Sequence, residues 1–156
     1  MAVSEKLIQK LNDLLMLDHD AVDAYEQAIK RIDSELCRNK LREFQADHRR
    51  HIVDLKDCVV RYEAKPRDHA DIKGFFIKGM TAIQAMAGDE MALKAMQTNE
   101  KLTNAKYQEA LDDLTMPDDV RSIVQRNRND EKRHLEWINL ALSQRYWEQT
   151  GPTIQP

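Results

Sequence analysis

The sequence predicts an all-α fold, four helices in an antiparallel bundle. Two observations carry this. Only four of the 156 residues are Gly and four are Pro, so the turn residues that a strand-rich chain needs are scarce. Apolar residues instead recur by threes and fours over four long stretches, the period of a helix with one buried face. The length suits a single domain over residues 1–150, with a coil tail at 151–156.

The first helix is predicted over residues 4–33, with Ser4 as N-cap and an inward stripe of Leu7, Leu11, Leu14, Val22, Tyr25, Ile29 and Ile32. Asp33-Ser34 breaks the pattern. The second helix follows to about residue 64, with Leu41, Phe44, Leu55, Cys58 and Tyr62 inward. The segment KPRDHADIKG is a Pro-marked loop, and FFIKGMTAIQAMA (75–87) is expected as a short helix inside a crossover. The third helix is predicted over 89–114, with Leu93, Met96, Tyr107, Leu111 and Leu114 inward. Pro117 suits a first helical turn and opens the fourth helix, 117–147, with Val120, Ile123, Val124, Ile138 and Leu142 inward. Short, long and short connections give two hairpins joined by a long crossover, with the second and third helices as parallel neighbours.

Composition excludes several functions. Net charge is −3 and acids and bases are mixed, so no basic stripe points to nucleic acid or to anionic lipid. No apolar run approaches the roughly 18 residues of a membrane span, and the N-terminus reads as an amphipathic helix rather than a signal peptide. A cytoplasmic protein is expected. Cys37 and Cys58 fall on one helix, roughly 30 Å apart at about 1.5 Å per residue, beyond disulfide reach. There is no CxxC for a rubredoxin-type iron centre or a zinc ribbon.

The chain also repeats itself. DHDAVDAYEQAI (18–29) aligns with EKLTNAKYQEAL (100–111) at an offset of 82, and ADHRRHI (46–52) aligns with NDEKRHL (129–135) at an offset of 83. Two matches in the same order, one residue apart in offset, indicate a duplicated helical hairpin.

The gaps in the apolar stripes carry the chemistry. Asp18 stands between Leu14 and Val22; His48 and His51 continue the stripe of the second helix; Glu100 stands between Met96 and Tyr107; Glu131 and His134 precede Ile138. Six ionisable groups thus occupy core positions at mid-length. Each buried unpaired charge costs several kcal/mol, and a shared cation offsets that cost. Carboxylates and neutral imidazoles are ligands that iron and manganese accept. Glu131 and His134 form Glu-x-x-His, one face of a helix one turn apart. Tyr25 and Tyr107 each follow a lone acid by seven residues.

An acid, x6, Tyr, then an acid-x-x-His about 30 residues later resembles the rubrerythrin, bacterioferritin and ferritin-like di-iron carboxylate superfamily, including small uncharacterised bacterial ferritin-like domains. The resemblance covers residues 5–147. It implies a ferritin-like bundle holding two iron ions, with manganese as the other metal, on Asp18, His48, His51, Glu100, Glu131 and His134. It implies reaction with peroxide or dioxygen, electrons from an external donor, and Tyr25 and Tyr107 either packing in the core or hydrogen-bonding ligand carboxylates.

Position 48 departs from the family, which has a bridging Glu there. Two divalent ions on three acids and three His leave one excess positive charge, which an oxide, hydroxide or substrate anion would balance; a single ion or a mixed pair is the alternative occupancy. Asp47 points about 100° from the inward face and is expected to support a ligand from behind.

The remaining polar and sulfur residues read more plainly. His19 and His69 are expected in solvent, as are Asp20, Asp23 and Glu26. Met80, Met86, Met91 and Met96 are expected as core filler, and Asn127 as inward, orienting a ligand or packing. A non-catalytic metal-binding or interaction module on the same frame is the alternative function, favoured by His48. A ferritin cage is disfavoured by the short segment after the fourth helix, and hemerythrin-type oxygen binding by the missing His-x-x-x-Glu and His-x-x-x-His spacings. Phe75 and Phe76 in the crossover suggest a homodimer surface.

Overall fold

The computed structural model describes residues 5–68 and 88–149. Four helices make up almost all of it: α1 Glu5–Arg31, α2 Glu35–Arg61, α3 Asp89–Leu111 and α4 Asp118–Ser143, followed by a 3-10 turn at Tyr146–Glu148. No strand occurs among the described residues. The expected helix at 75–87, the tail, Ser4, His69, Phe75, Phe76, Met80 and Met86 lie outside them.

Helices α1 and α2 form one hairpin and α3 and α4 the other; α1 also packs on α3, and α2 on α4. α2 and α3 run parallel, as expected, but they sit across the diagonal rather than side by side. The two hairpins pack face to face, so each helix meets its hairpin partner and its counterpart in the repeat.

The connections show why the helices stop where they do. Between α1 and α2, Ser34 accepts a hydrogen bond from the Cys37 amide and caps α2. Asp89, in the first turn of α3, accepts from the amides of Asp33 and Ser34 at 2.8 Å each. Arg38 donates to the Ile32 carbonyl at 2.7 Å. Gly88 begins α3 at φ 92°, in the left-handed region that a side chain disfavours.

Three helix ends come earlier than the sequence pattern suggested. α2 stops at Arg61, with Glu63 at φ 59° beyond it. α3 stops at Leu111 because Arg121 takes the Leu111 and Asp113 carbonyls and Asp113 binds the Thr115 amide and hydroxyl. That turn throws Leu114 outward, 90 % exposed, and Met116 fills the core instead. α4 stops at Ser143 because Arg145 turns to φ 51°, which lets Tyr146 pack against Trp137. Met91 is exposed, while Met96 is buried as expected.

The core consists of two apolar clusters. One holds Leu11, Leu14, Leu15, Leu55, Val59, Leu111, Val120 and Val124. The other holds Ile29, Ile32, Leu41, Phe44, Leu93, Met96 and Ile138. Each fully buried side chain of this size contributes about 1.5–3 kcal/mol. Between the two clusters, at mid-length, lies a polar layer. Helix α1 is buried all round there, from Leu14 to Ala21. His19 and Asp20 are therefore enclosed rather than solvated: α1 is covered on more than the one face that its apolar stripe marks.

Candidate metal centre

The six residues in the stripe gaps meet in the polar layer, and all are fully buried. They form two overlapping groups in which ligand-type atoms lie within 4.8 Å of one another: Asp18, His48, His51 and Glu131, and His48, Glu100, Glu131 and His134. His48 and Glu131, counterparts in the repeat, belong to both.

The contacts are short. His48 Nδ1 is 2.8 Å from Asp18 Oδ1, and its Nε2 is 3.3 Å from Glu100 Oε1. His51 Nδ1 lies 3.1 Å from Asp18 Oδ1 and 3.1 Å from Glu131 Oε1. His134 Nδ1 lies 3.5 Å from Glu100 Oε1 and 4.0 Å from Glu131 Oε2.

Supporting bonds cross between the hairpins in matching pairs. The Tyr25 hydroxyl donates to Glu100, and the Tyr107 hydroxyl donates to Asp18 Oδ2 at 2.5 Å. His51 Nε2 lies 3.0 Å from Asp130, and His134 Nε2 lies 2.9 Å from Asp47. Both rings therefore turn Nδ1 inward, with a carboxylate behind Nε2. Arg50 and Arg133 each bind both of these outer acids. The recurring Asp-x-x-Arg-His of α2 and α4 thus closes the layer on the side facing solvent.

The repeat is imperfect around this centre. Phe44 stacks on His134 with ring centroids 4.3 Å apart; its counterpart at offset 83 is Asn127, fully buried as expected and without a hydrogen bond among the described residues. Thr103 donates to Glu100 Oε2 at 3.2 Å, where the first hairpin has Ala21. Asn104 ties the carbonyls of Glu100 and Glu131 together.

Asp130 is the residue that the sequence reading passed over. Its signal was present, since it aligns with Asp47 in the repeat.

The electrostatics follow from burial and proximity. Burial opposes ionisation of Asp18, but His51 and His48 outweigh it and hold the carboxyl at about 2. Burial likewise opposes Glu100, which His134 and His48 hold well below the usual carboxylate range. Burial disfavours imidazolium, yet Glu131, Asp18 and Glu100 push His48 up to about 10. Against the same burial, Asp18, Asp130 and Glu131 push His51 up to about 12, and Asp47 and Glu100 raise His134. Glu131 goes the other way for a carboxyl, to about 7, because burial and the charge of Glu100 disfavour its anion. Burial and the neighbouring acids keep Tyr25 and Tyr107 protonated, as donors.

This donor set fits a metal. Glu131 Oε2 is buried with no hydrogen bond, and such an orphaned atom costs about 1–3 kcal/mol, more when charged. Glu131 Oε1 and His134 Nδ1 have ion-pair contacts, to His51 at 3.1 Å and to Glu100 at 3.5 Å. All of them face the centre of the layer. The protonated imidazoles of the metal-free protein balance its acids, and a divalent cation would take over that balance.

Fold and site together define an all-α four-helix bundle with buried His, Asp and Glu groups able to hold metal ions. The chain belongs to the family described as a domain of unknown function, DUF2383, which matches residues 6–113, a family of ferritin-like type. The matched segment contains Asp18, His48, His51, Glu100 and both tyrosines; Glu131 and His134 lie beyond it. No curated protein matches the sequence. None of the described helices is long and apolar enough to cross a membrane.

Proposed function

We propose that this protein is a non-haem di-metal protein, with two iron ions as the natural occupants and manganese as the other metal the ligands accept, acting as an oxidoreductase on peroxide or dioxygen. The observation that carries the reading is the convergence of six buried ligand-type side chains around Glu131, whose Oε2 has no hydrogen bond. Asp18 and His51 would hold one ion and Glu100 and His134 the other, with His48 and Glu131 between them. Bound iron supplies a redox couple and a Lewis acid.

The chain supplies the rest. Asp130 and Asp47 hold the His51 and His134 rings in one tautomer. Tyr107 and Tyr25 donate to Asp18 and Glu100, which steadies those carboxylates and leaves fewer lone pairs for solvent. The apolar clusters on either side keep bulk water out. Electrons come from an external donor, and a cytoplasmic setting agrees with two free, buried cysteines.

The test is anaerobic loading with Fe(II), desalting and a metal count per chain, with His134→Ala and Glu100→Ala in parallel. Two irons in the wild type, lost in both variants, and oxidation on adding peroxide support the reading. No retained metal, or equal retention in the variants, overturns it.

A second reading has its own observation. His48 lies between Asp18 and Glu100 at 2.8 and 3.3 Å, and the neighbouring acids favour its charged form, which would neutralise part of the layer. In that case the bundle is a non-catalytic interaction module, and the wild type retains no iron in the same experiment.

A further inference from the structure

His48 stands where the repeat places a carboxylate. Its counterpart Glu131 spans the layer: Oε1 lies 3.1 Å from His51 Nδ1, and Oε2 lies 4.0 Å from His134 Nδ1. One oxygen thus faces each of the two groups. The His48 ring spans it in the same way. Its Nδ1 is 2.8 Å from Asp18 Oδ1, in one group, and its Nε2 is 3.3 Å from Glu100 Oε1, in the other.

No residue stands behind either nitrogen as Asp130 and Asp47 stand behind His51 and His134; both point inward. A ligand held through one nitrogen needs an acceptor for the N–H on the other. For His48 the acceptors present are themselves ligand candidates.

From this geometry we propose that His48 is a bridging ligand, with Nδ1 on the ion held by Asp18 and His51 and Nε2 on the ion held by Glu100 and His134. The inference rests on the di-metal reading and specifies how its two halves are joined. With an ion on each nitrogen no N–H remains, so the ring enters as imidazolate and the protons it carried leave to solvent. Charge then closes. Two divalent ions bring four positive charges, and Asp18, Glu100 and Glu131 bring three negative ones. The imidazolate supplies the fourth, so no added anion is needed to neutralise the layer. The substitution of His for a carboxylate therefore preserves both the bridge and its charge.

The test loads the full chain with Co(II) and combines the metal count with proton NMR of the hyperfine-shifted signals that disappear in D2O. A bridging ring has no N–H, so two such imidazole signals are expected, from His51 and His134. Two ions with three signals make His48 an ordinary terminal ligand and overturn the bridge while leaving the di-metal reading intact. One ion per chain overturns both the bridge and the pair. No ion at all overturns the metal reading itself.

Variants add a check on the same count. His48→Gln is expected to drop retention from two ions to one, and His48→Glu, which restores a two-oxygen bridge, to keep two. Two tightly held ions in His48→Gln overturn the proposal. The NMR result on the wild type decides the matter if either variant fails to fold.

Discussion

Replacing Asp130 or Asp47 tests whether the outer carboxylates set metal affinity. Each lies behind a histidine Nε2, at 3.0 and 2.9 Å, and their side chains are only 18 % and 14 % exposed, so water screens them little. Asp→Asn keeps a carbonyl acceptor but removes the charge, about half the strength of a charge-assisted bond. A loss near tenfold in affinity, about 1.4 kcal/mol, is expected. Asp→Ala removes the acceptor as well and frees the ring to rotate. The loss should then approach a hundredfold, about 3 kcal/mol.

The symmetry of the site makes the two positions comparable, each acting on the step that fills its own half. Arg50 and Arg133 bind the same acids from half-exposed positions, so their replacement by Ala should cost less than about fivefold. Competition against a chelator of known affinity reads all of these. The reasoning fails if Asp130→Ala and Asp47→Ala stay within about twofold of wild type, or if the arginines matter more than the acids they bind.

Other outcomes follow from the same structure. Metal loading should release protons and tighten as pH rises from about 6 to 8, because His48, His51 and His134 hold their protons in the metal-free fold; loading that is independent of pH would contradict this. In the metal-free protein, stability from those raised histidines is fully present below about pH 6.5 and is lost as pH climbs through about 10. Stability from Asp18 is present above about pH 4 and is lost as pH falls towards 2; denaturant midpoints across pH check both limbs. Free metal at a hundred times Kd should add about 2.7 kcal/mol, about 5–10 °C in Tm for a chain of this size, and a chelator should reverse it. Phe44→Ala empties a fully buried site against His134, Tyr25 and Trp137 and should cost about 3–5 kcal/mol, read from urea unfolding. Asp89→Ala leaves the Asp33 and Ser34 amides without their acceptor and should cost about 1–2 kcal/mol; an unchanged midpoint would show that water replaces it.

Much of this was legible in the residues. Helical period located all four helices, and the polar gaps in the stripes picked out the six side chains that converge. That works because a helix repeats its environment every three to four residues, so a charged residue on the inward face stands out. Reading the ends was harder. Leu114 fits the period of α3, but the chain leaves the helix once Asp113 and Arg121 offer its backbone other partners. His19 and Asp20 failed for a different reason: a single stripe assumes one buried face, and α1 is enclosed on several. Asp130 lies off the inward stripe, as Asp47 does, and acts on a helix that neighbours its own. Period analysis of one helix carries no information on such contacts, whereas the internal repeat does.

The four paired supporting bonds of the polar layer run from one hairpin to the other: Tyr25 to Glu100, Tyr107 to Asp18, Asp130 to His51, Asp47 to His134. Neither hairpin can assemble its half alone, because the groups that orient its inner side chains belong to its counterpart. A chain severed between the hairpins would behave as two complementary fragments. Their association would strengthen with metal concentration, since each ion would be held only in the reunited pair.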